Sequence, residues 1–104
     1  MGTVAQQLRQ WEFAKNNYQQ ALSIYLEYND RYEQAKTYHH LGIVAEELEE
    51  YSEAKANYLQ ALEYWTEFND TYSIETYSIP ALARLYQTTQ DQNLLASITM
   101  NNEQ

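Results

Sequence analysis

The chain has 104 residues, with fifteen acidic and six basic side chains for a formal charge of −9, no cysteine, two glycines and one proline. That length supports one core and not two, and the missing cysteine excludes disulfides, thiolate metal sites and cysteine nucleophiles. The acidic surplus argues against nucleic acid and anionic membrane surfaces as partners.

Alanine, leucine, glutamate, glutamine and tyrosine dominate, which predicts an all-α fold. There is no apolar run of about 18 residues and no charged-then-apolar leader, so a cytoplasmic location is expected. Met1-Gly2 opens like a myristoylation signal, but Gln6 stands where Ser or Thr is preferred.

In chain order, the first feature is an internal repeat. A shift of 40 residues places Gly2, Val4, Ala5 and Leu8 on Gly42, Val44, Ala45 and Leu48. It continues with Ala14, Lys15, Asn17, Tyr18, Gln20, Ala21 and Leu22 on Ala54, Lys55, Asn57, Tyr58, Gln60, Ala61 and Leu62. Glu27, Asn29 and Asp30 then meet Glu67, Asn69 and Asp70, for 14 identities in the 29 positions from 2 to 30. A fixed period of this size marks a stacked-repeat architecture.

Residues 1–30 form a truncated first unit, 31–70 a complete one, 71–99 a worn third one and 100–104 a frayed tail. The complete unit reads as two helices, from about Arg31 to Glu49 and from about Ser52 to Phe68, joined by a tight turn near Glu50. Tyr38, Leu41, Ala45 and Leu48 follow one face of the first helix; Ala54, Tyr58, Ala61, Leu62 and Trp65 follow one face of the second. Asp30 with Glu33 predicts a helix start, and the repeated Asn-Asp pair marks the break between units. Such a hairpin cannot bury its apolar stripe alone, so hairpins must stack.

In the third unit the match shifts to 41, aligning Leu82 and Tyr86 with Leu41 and Ala45, with Asp91 at the turn and a short last helix carrying Leu94, Leu95 and Ile98. Pro80 falls inside its first helix and predicts a kink or a break around Tyr77 to Ile79.

No catalytic constellation is found: there is no phosphate-binding glycine loop, nucleophile elbow or paired-histidine metal motif. His39 and His40 are adjacent on a helix and diverge by about 100°, which prevents them from sharing a metal. The acidic run Glu46, Glu47, Glu49, Glu50 and Glu53 reads as a solvated turn. Most of the eleven tyrosines recur at core spacing rather than as a base-stacking surface. The expectation is a non-enzymatic chain with no cofactor and no metal.

The run Tyr38, Leu41, Gly42, Ala45, then Ala54, Tyr58 and Ala61, resembles the tetratricopeptide repeat signature, in a 40-residue, long-helix form like those of bacterial-type arrays. That resemblance implies antiparallel helix hairpins stacked as a short right-handed α-solenoid, and a protein-interaction module within a larger regulator. It also implies a concave groove lined by the first helices: Lys36, His39, Ile43, Glu46 and Glu47 from the complete unit, Thr3, Gln6 and Gln7 before it, and Tyr77, Arg84 and Gln87 after it. Glu46, Glu47 and the net charge predict a preference for basic or neutral peptides. His39 is expected to be replaceable without cost to stability.

The alternative is self-association. The truncated first unit leaves Leu22, Tyr25, Leu26 and Tyr28 without part of their cover, which predicts a homodimer through this edge, by face-to-face packing or exchange of the short first helix.

Overall fold

The computed structural model describes residues 4–91 and 93, with side chains from residue 7 onward. The helices are α1 (Val4–Glu27), α2 (Arg31–Glu47), α3 (Tyr51–Glu67), α4 (Thr71–Ser73) and α5 (Ile79–Thr89), with a π-helical segment at Ile74–Ser78 joining the last two. α1 packs on α2, α2 on α3, and α3 on the continuous run from α4 through the π segment to α5, so the described residues form a stack of helix hairpins. The helix expected at Leu94, Leu95 and Ile98 lies outside the described residues.

The turns follow one device, used three times. At the ends of α1, α2 and α3 a residue adopts the left-handed conformation: Asn29 (φ 55°), Glu49 (φ 61°) and Asn69 (φ 54°). The amide after each reaches back into the last helical turn, Asp30 N to Tyr25 O at 2.9 Å, Glu50 N to Ala45 O at 2.8 Å and Asp70 N to Trp65 O at 2.9 Å. This is a Schellman closure, and asparagine tolerates its left-handed residue better than most side chains. The next residue immediately caps the following helix. Asp30 accepts from the Glu33 amide at 3.2 Å and Asp70 from the Ser73 amide at 3.1 Å, satisfying donors that a helix start leaves open. Glu50 makes no such cap. Its carboxylate instead accepts from Lys15 Nζ of α1 at 3.2 Å.

That ion pair recurs one unit later, where Lys55 Nζ meets Asp91 Oδ2 at 2.7 Å. In both places a lysine on the second helix of one unit holds the turn of the next unit.

Two cores result. Tyr58, Leu62, Leu82 and Leu85 pack with Ala45, Ala54 and Ala81, while Trp65 packs with Ala35 and Ala61. The alanines allow close approach, and Gly42 allows the closest one. A Cβ at Gly42 would lie 2.6 Å from both Cδ1 and Cε1 of the Tyr58 ring.

Two features differ from the sequence reading. The first unit forms no hairpin: α1 runs unbroken for 24 residues through the positions equivalent to the Glu49-Glu50 turn. Continuing one helix satisfies its amides and carbonyls without a turn.

The second difference lies in the third unit. The kink expected from Pro80 is a π-helical turn, with the Ile79 amide bonding the carbonyl of Ile74, five residues back. A π turn accommodates one inserted residue. The repeat shift is accordingly 40 up to Asp70 and Tyr72, on Asp30 and Tyr32, and 41 from Leu82 onward; Gln90, 41 residues after Glu49, again adopts the left-handed conformation (φ 61°). Pro80, in the first turn of α5, lacks an amide that would need a partner.

Ser78, the last residue of the π segment, is fully buried, and its hydroxyl has no hydrogen-bond partner among the described residues. Removing an unpaired buried polar atom relieves a desolvation cost of about 1 kcal/mol or more. Ser78→Ala should therefore leave the unfolding midpoint unchanged or raise it; a clear drop would show that the hydroxyl is satisfied.

Candidate functional site

Between α2 and the α4–π segment lies an open cleft of about 310 Å³, lined by Tyr32, Lys36, His39 and His40 from α2, Trp65 and Asp70 from α3 and its turn, and Tyr72, Ser73 and Tyr77. Tyr32 and Tyr72 occupy equivalent positions in their units. Both are well exposed, Tyr72 at 70 % and Tyr32 at 48 %. The one-residue step in the π segment gives Tyr77 the repeat position that Lys36 holds in α2, and Tyr77 also keeps a largely open ring, at 41 %.

The floor is an aromatic hub around His39. Its ring lies 5.4 Å from Tyr58, 5.7 Å from Trp65 and 5.5 Å from Tyr77, centroid to centroid. Trp65 and Tyr77 are 5.8 Å apart, and Tyr72 stands edge-on to Tyr77 at 6.3 Å. These separations are within the range at which aromatic pairs attract. His40 stacks flat on Tyr18 of α1, at 5.2 Å with planes 7° apart.

Burial pushes the His39 imidazole down to about 4, assisted by the nearby His40 and Arg84 charges. A base held below its unfolded value of 6.5 favours the fold while neutral. The resulting stability is complete above pH 6.5 and is lost as pH falls from 6.5 toward 4. At about 1.4 kcal/mol per pH unit the loss reaches about 3–4 kcal/mol. His39→Phe should flatten the stability profile over that window, measured by denaturant unfolding at a series of pH values; an unchanged slope would place the titration elsewhere. Burial at the hub also corrects the expectation that His39 is dispensable for stability.

Two acidic groups at or near the cleft, Glu46 and Asp70, are already engaged. The Glu46 carboxylate accepts from Arg84 Nε at 2.8 Å and Nη2 at 3.0 Å, and from the Tyr58 hydroxyl at 2.7 Å. Burial pushes the Glu46 carboxyl up, but these bonds outweigh it and hold the group below its ordinary value. The same burial and the same carboxylate push the Tyr58 phenol up strongly. Asp70 accepts from the Ser73 hydroxyl at 2.7 Å, the Ser73 amide at 3.1 Å and the Tyr32 hydroxyl at 3.3 Å. The Ser73 hydroxyl and then its amide are the main causes holding the Asp70 carboxyl down. Lys36 is exposed and makes no ion pair among the described residues.

Of the groove residues expected from the sequence, the structure brings Lys36, His39 and Tyr77 together in the cleft. Glu46 and Arg84 meet as an ion pair further along the groove, Ile43 is half-buried against the core, and Glu47 and Gln87 are exposed. Gln7 sits beside Trp11 near the end of α2, while Thr3 and the Gln6 side chain lie outside the description. Tyr32, His40, Trp65, Asp70 and Tyr72 were not anticipated as groove residues. The recurrence of tyrosine at 32 and 72 was the available signal for two of them.

Among the described residues no group of three or more His, Asp or Glu side chains is placed to hold a metal, and no helix is long and apolar enough to cross a membrane. Comparison with curated proteins and with solved structures returns no match. A sequence model of the tetratricopeptide repeat matches residues 1–67, spanning the first unit and nearly all of the second. With the hairpin stack, the 40-residue period and the Gly42–Tyr58 contact in place, the chain belongs to the tetratricopeptide repeat family, whose repeats generally mediate protein–protein interactions.

Proposed function

We propose that the chain is a non-catalytic interaction module, part of a larger regulator, that receives a peptide or protein segment on its concave face at the α2/α4 cleft. The observation carrying this reading is the set of exposed rings, Tyr32, Tyr72 and Tyr77, standing around a concave space with Trp65 at its floor. Protein interfaces concentrate binding energy in such aromatic anchors within a concave surface. Peptides selected from a displayed random library on the full chain test it. Tyr72→Ala and Tyr77→Ala should weaken their binding by about tenfold or more, the loss typical of an anchor residue, with Phe13→Ala on the outer face of α1 neutral. The reverse pattern would move the site to α1.

Self-association has a separate observation in its favour. Ala14, Tyr18, Ala21, Leu22 and Tyr25 of α1 are half-buried, whereas their counterparts Ala54, Tyr58, Ala61, Leu62 and Trp65 in α3 are buried; Leu26 and Tyr28 are exposed, Tyr28 at 75 %. A homodimer through Leu22, Tyr25, Leu26 and Tyr28 would cover them. Light scattering over a concentration series reads it directly: a well-folded monomer at about 100 μM, far above a μM dissociation constant, would rule it out, and Tyr25→Glu should dissociate a dimer.

A further inference from the structure

Resting on the concave-face reading, we infer that the segment bound at the α2/α4 cleft is acidic and carries an aromatic side chain, its ring entering between Tyr72, Tyr77 and Tyr32 and a neighbouring carboxylate meeting Lys36. The net charge of −9 suggests the opposite preference, but the local inventory of groups reverses it. Glu46 has its carboxylate engaged by Arg84 and Tyr58, and the three bonds to Asp70 come from Ser73 and Tyr32. Glu46 is neutralised by Arg84, and Asp70, though paired with no cation among the described residues, already accepts two bonds on Oδ2 and one on Oδ1. Lys36 does offer a donor: its ammonium lines the cleft, is exposed and has no ion-pair partner among the described residues.

The two histidines beside Lys36 strengthen the case. Burial holds both imidazoles below their ordinary value, so near neutrality they contribute ring faces and no charge. Among the described residues lining the cleft, Lys36 is then the one available cation. Distant acids are screened over a Debye length of about 8 Å at physiological ionic strength, while a contact pair is screened much less. Contact complementarity therefore decides the sign of the ligand. The ring is specified by the walls: four aromatic side chains within about 310 Å³ favour stacked or edge-on insertion of a further ring over an aliphatic chain.

The test is the composition of peptides enriched from a random displayed library on the full chain, followed by titration against Lys36→Glu and Tyr72→Ala, both at exposed positions. Enriched sequences should pair Trp, Tyr or Phe with Asp or Glu. Their affinity should fall about tenfold in Lys36→Glu and weaken with added salt. Peptides rich in Lys or Arg that depend on Tyr72 and bind Lys36→Glu as well or better would overturn the acidic assignment while leaving the cleft as the site. Acidic peptides lacking aromatic residues would overturn the ring. Peptides indifferent to both substitutions, or no enrichment at all, would remove the concave-face reading itself.

Discussion

Gly42→Leu should destabilise the chain by about 3 kcal/mol or more, at the upper end of overpacking effects. The glycine backbone rests on the face of Tyr58, so that even a single Cβ would come within 2.6 Å of two ring carbons. The ring cannot step aside cheaply. Tyr58 is completely buried, and its hydroxyl is tied to Glu46 at 2.7 Å and to Arg84 at 3.2 Å. Leucine gains less than about 1 kcal/mol of helix propensity over glycine, too little to offset the overlap. Urea unfolding followed by far-ultraviolet circular dichroism measures the difference, and a Gly42→Leu midpoint equal to that of the wild type would mean that α2 and α3 do not cross at this residue.

Trp65→Ala should cost about 3–5 kcal/mol, the range for deleting a large buried aromatic side chain. Its neighbours in the core are Ala35 and Ala61, both fully buried and too small to refill the void. His39 and Tyr77 lose a ring partner at the same time. A small domain has about 5–15 kcal/mol of stability to lose, so the variant should unfold at far lower urea. Trp65→Phe should retain part of the loss. If Trp65→Ala unfolds like the wild type, the hub around His39 is not a packed core.

The hairpin stack was legible because its signals are local and repeated. Asn-Asp marks two turns, alanine and glycine mark close approaches, and the 3.6-residue spacing of Leu41, Ala45, Tyr58 and Leu62 marks the buried faces. The unbroken α1 was not, because whether a chain turns at residues 9–10 depends on whether a partner helix waits to receive it. The π turn was half visible: the shift from 40 to 41 counted the extra residue, and attention to Pro80 turned that count into a generic kink. At the site, Lys36, His39 and Tyr77 were legible from the groove position of first helices. The Glu46–Arg84 bridge was not, since it spans 38 residues and two units.

The most direct test of the concave cleft uses the chain's two tryptophans, Trp65 at the cleft floor and Trp11 on α1 beside the end of α2. Each gives one indole N–H signal in a nitrogen-15 correlation spectrum, assignable through Trp11→Phe. On titration with a library-selected peptide, the account predicts that the Trp65 signal shifts in proportion to saturation while the Trp11 signal stays in place. A moving Trp11 signal with a stationary Trp65 signal would put the partner on α1 and contradict the account.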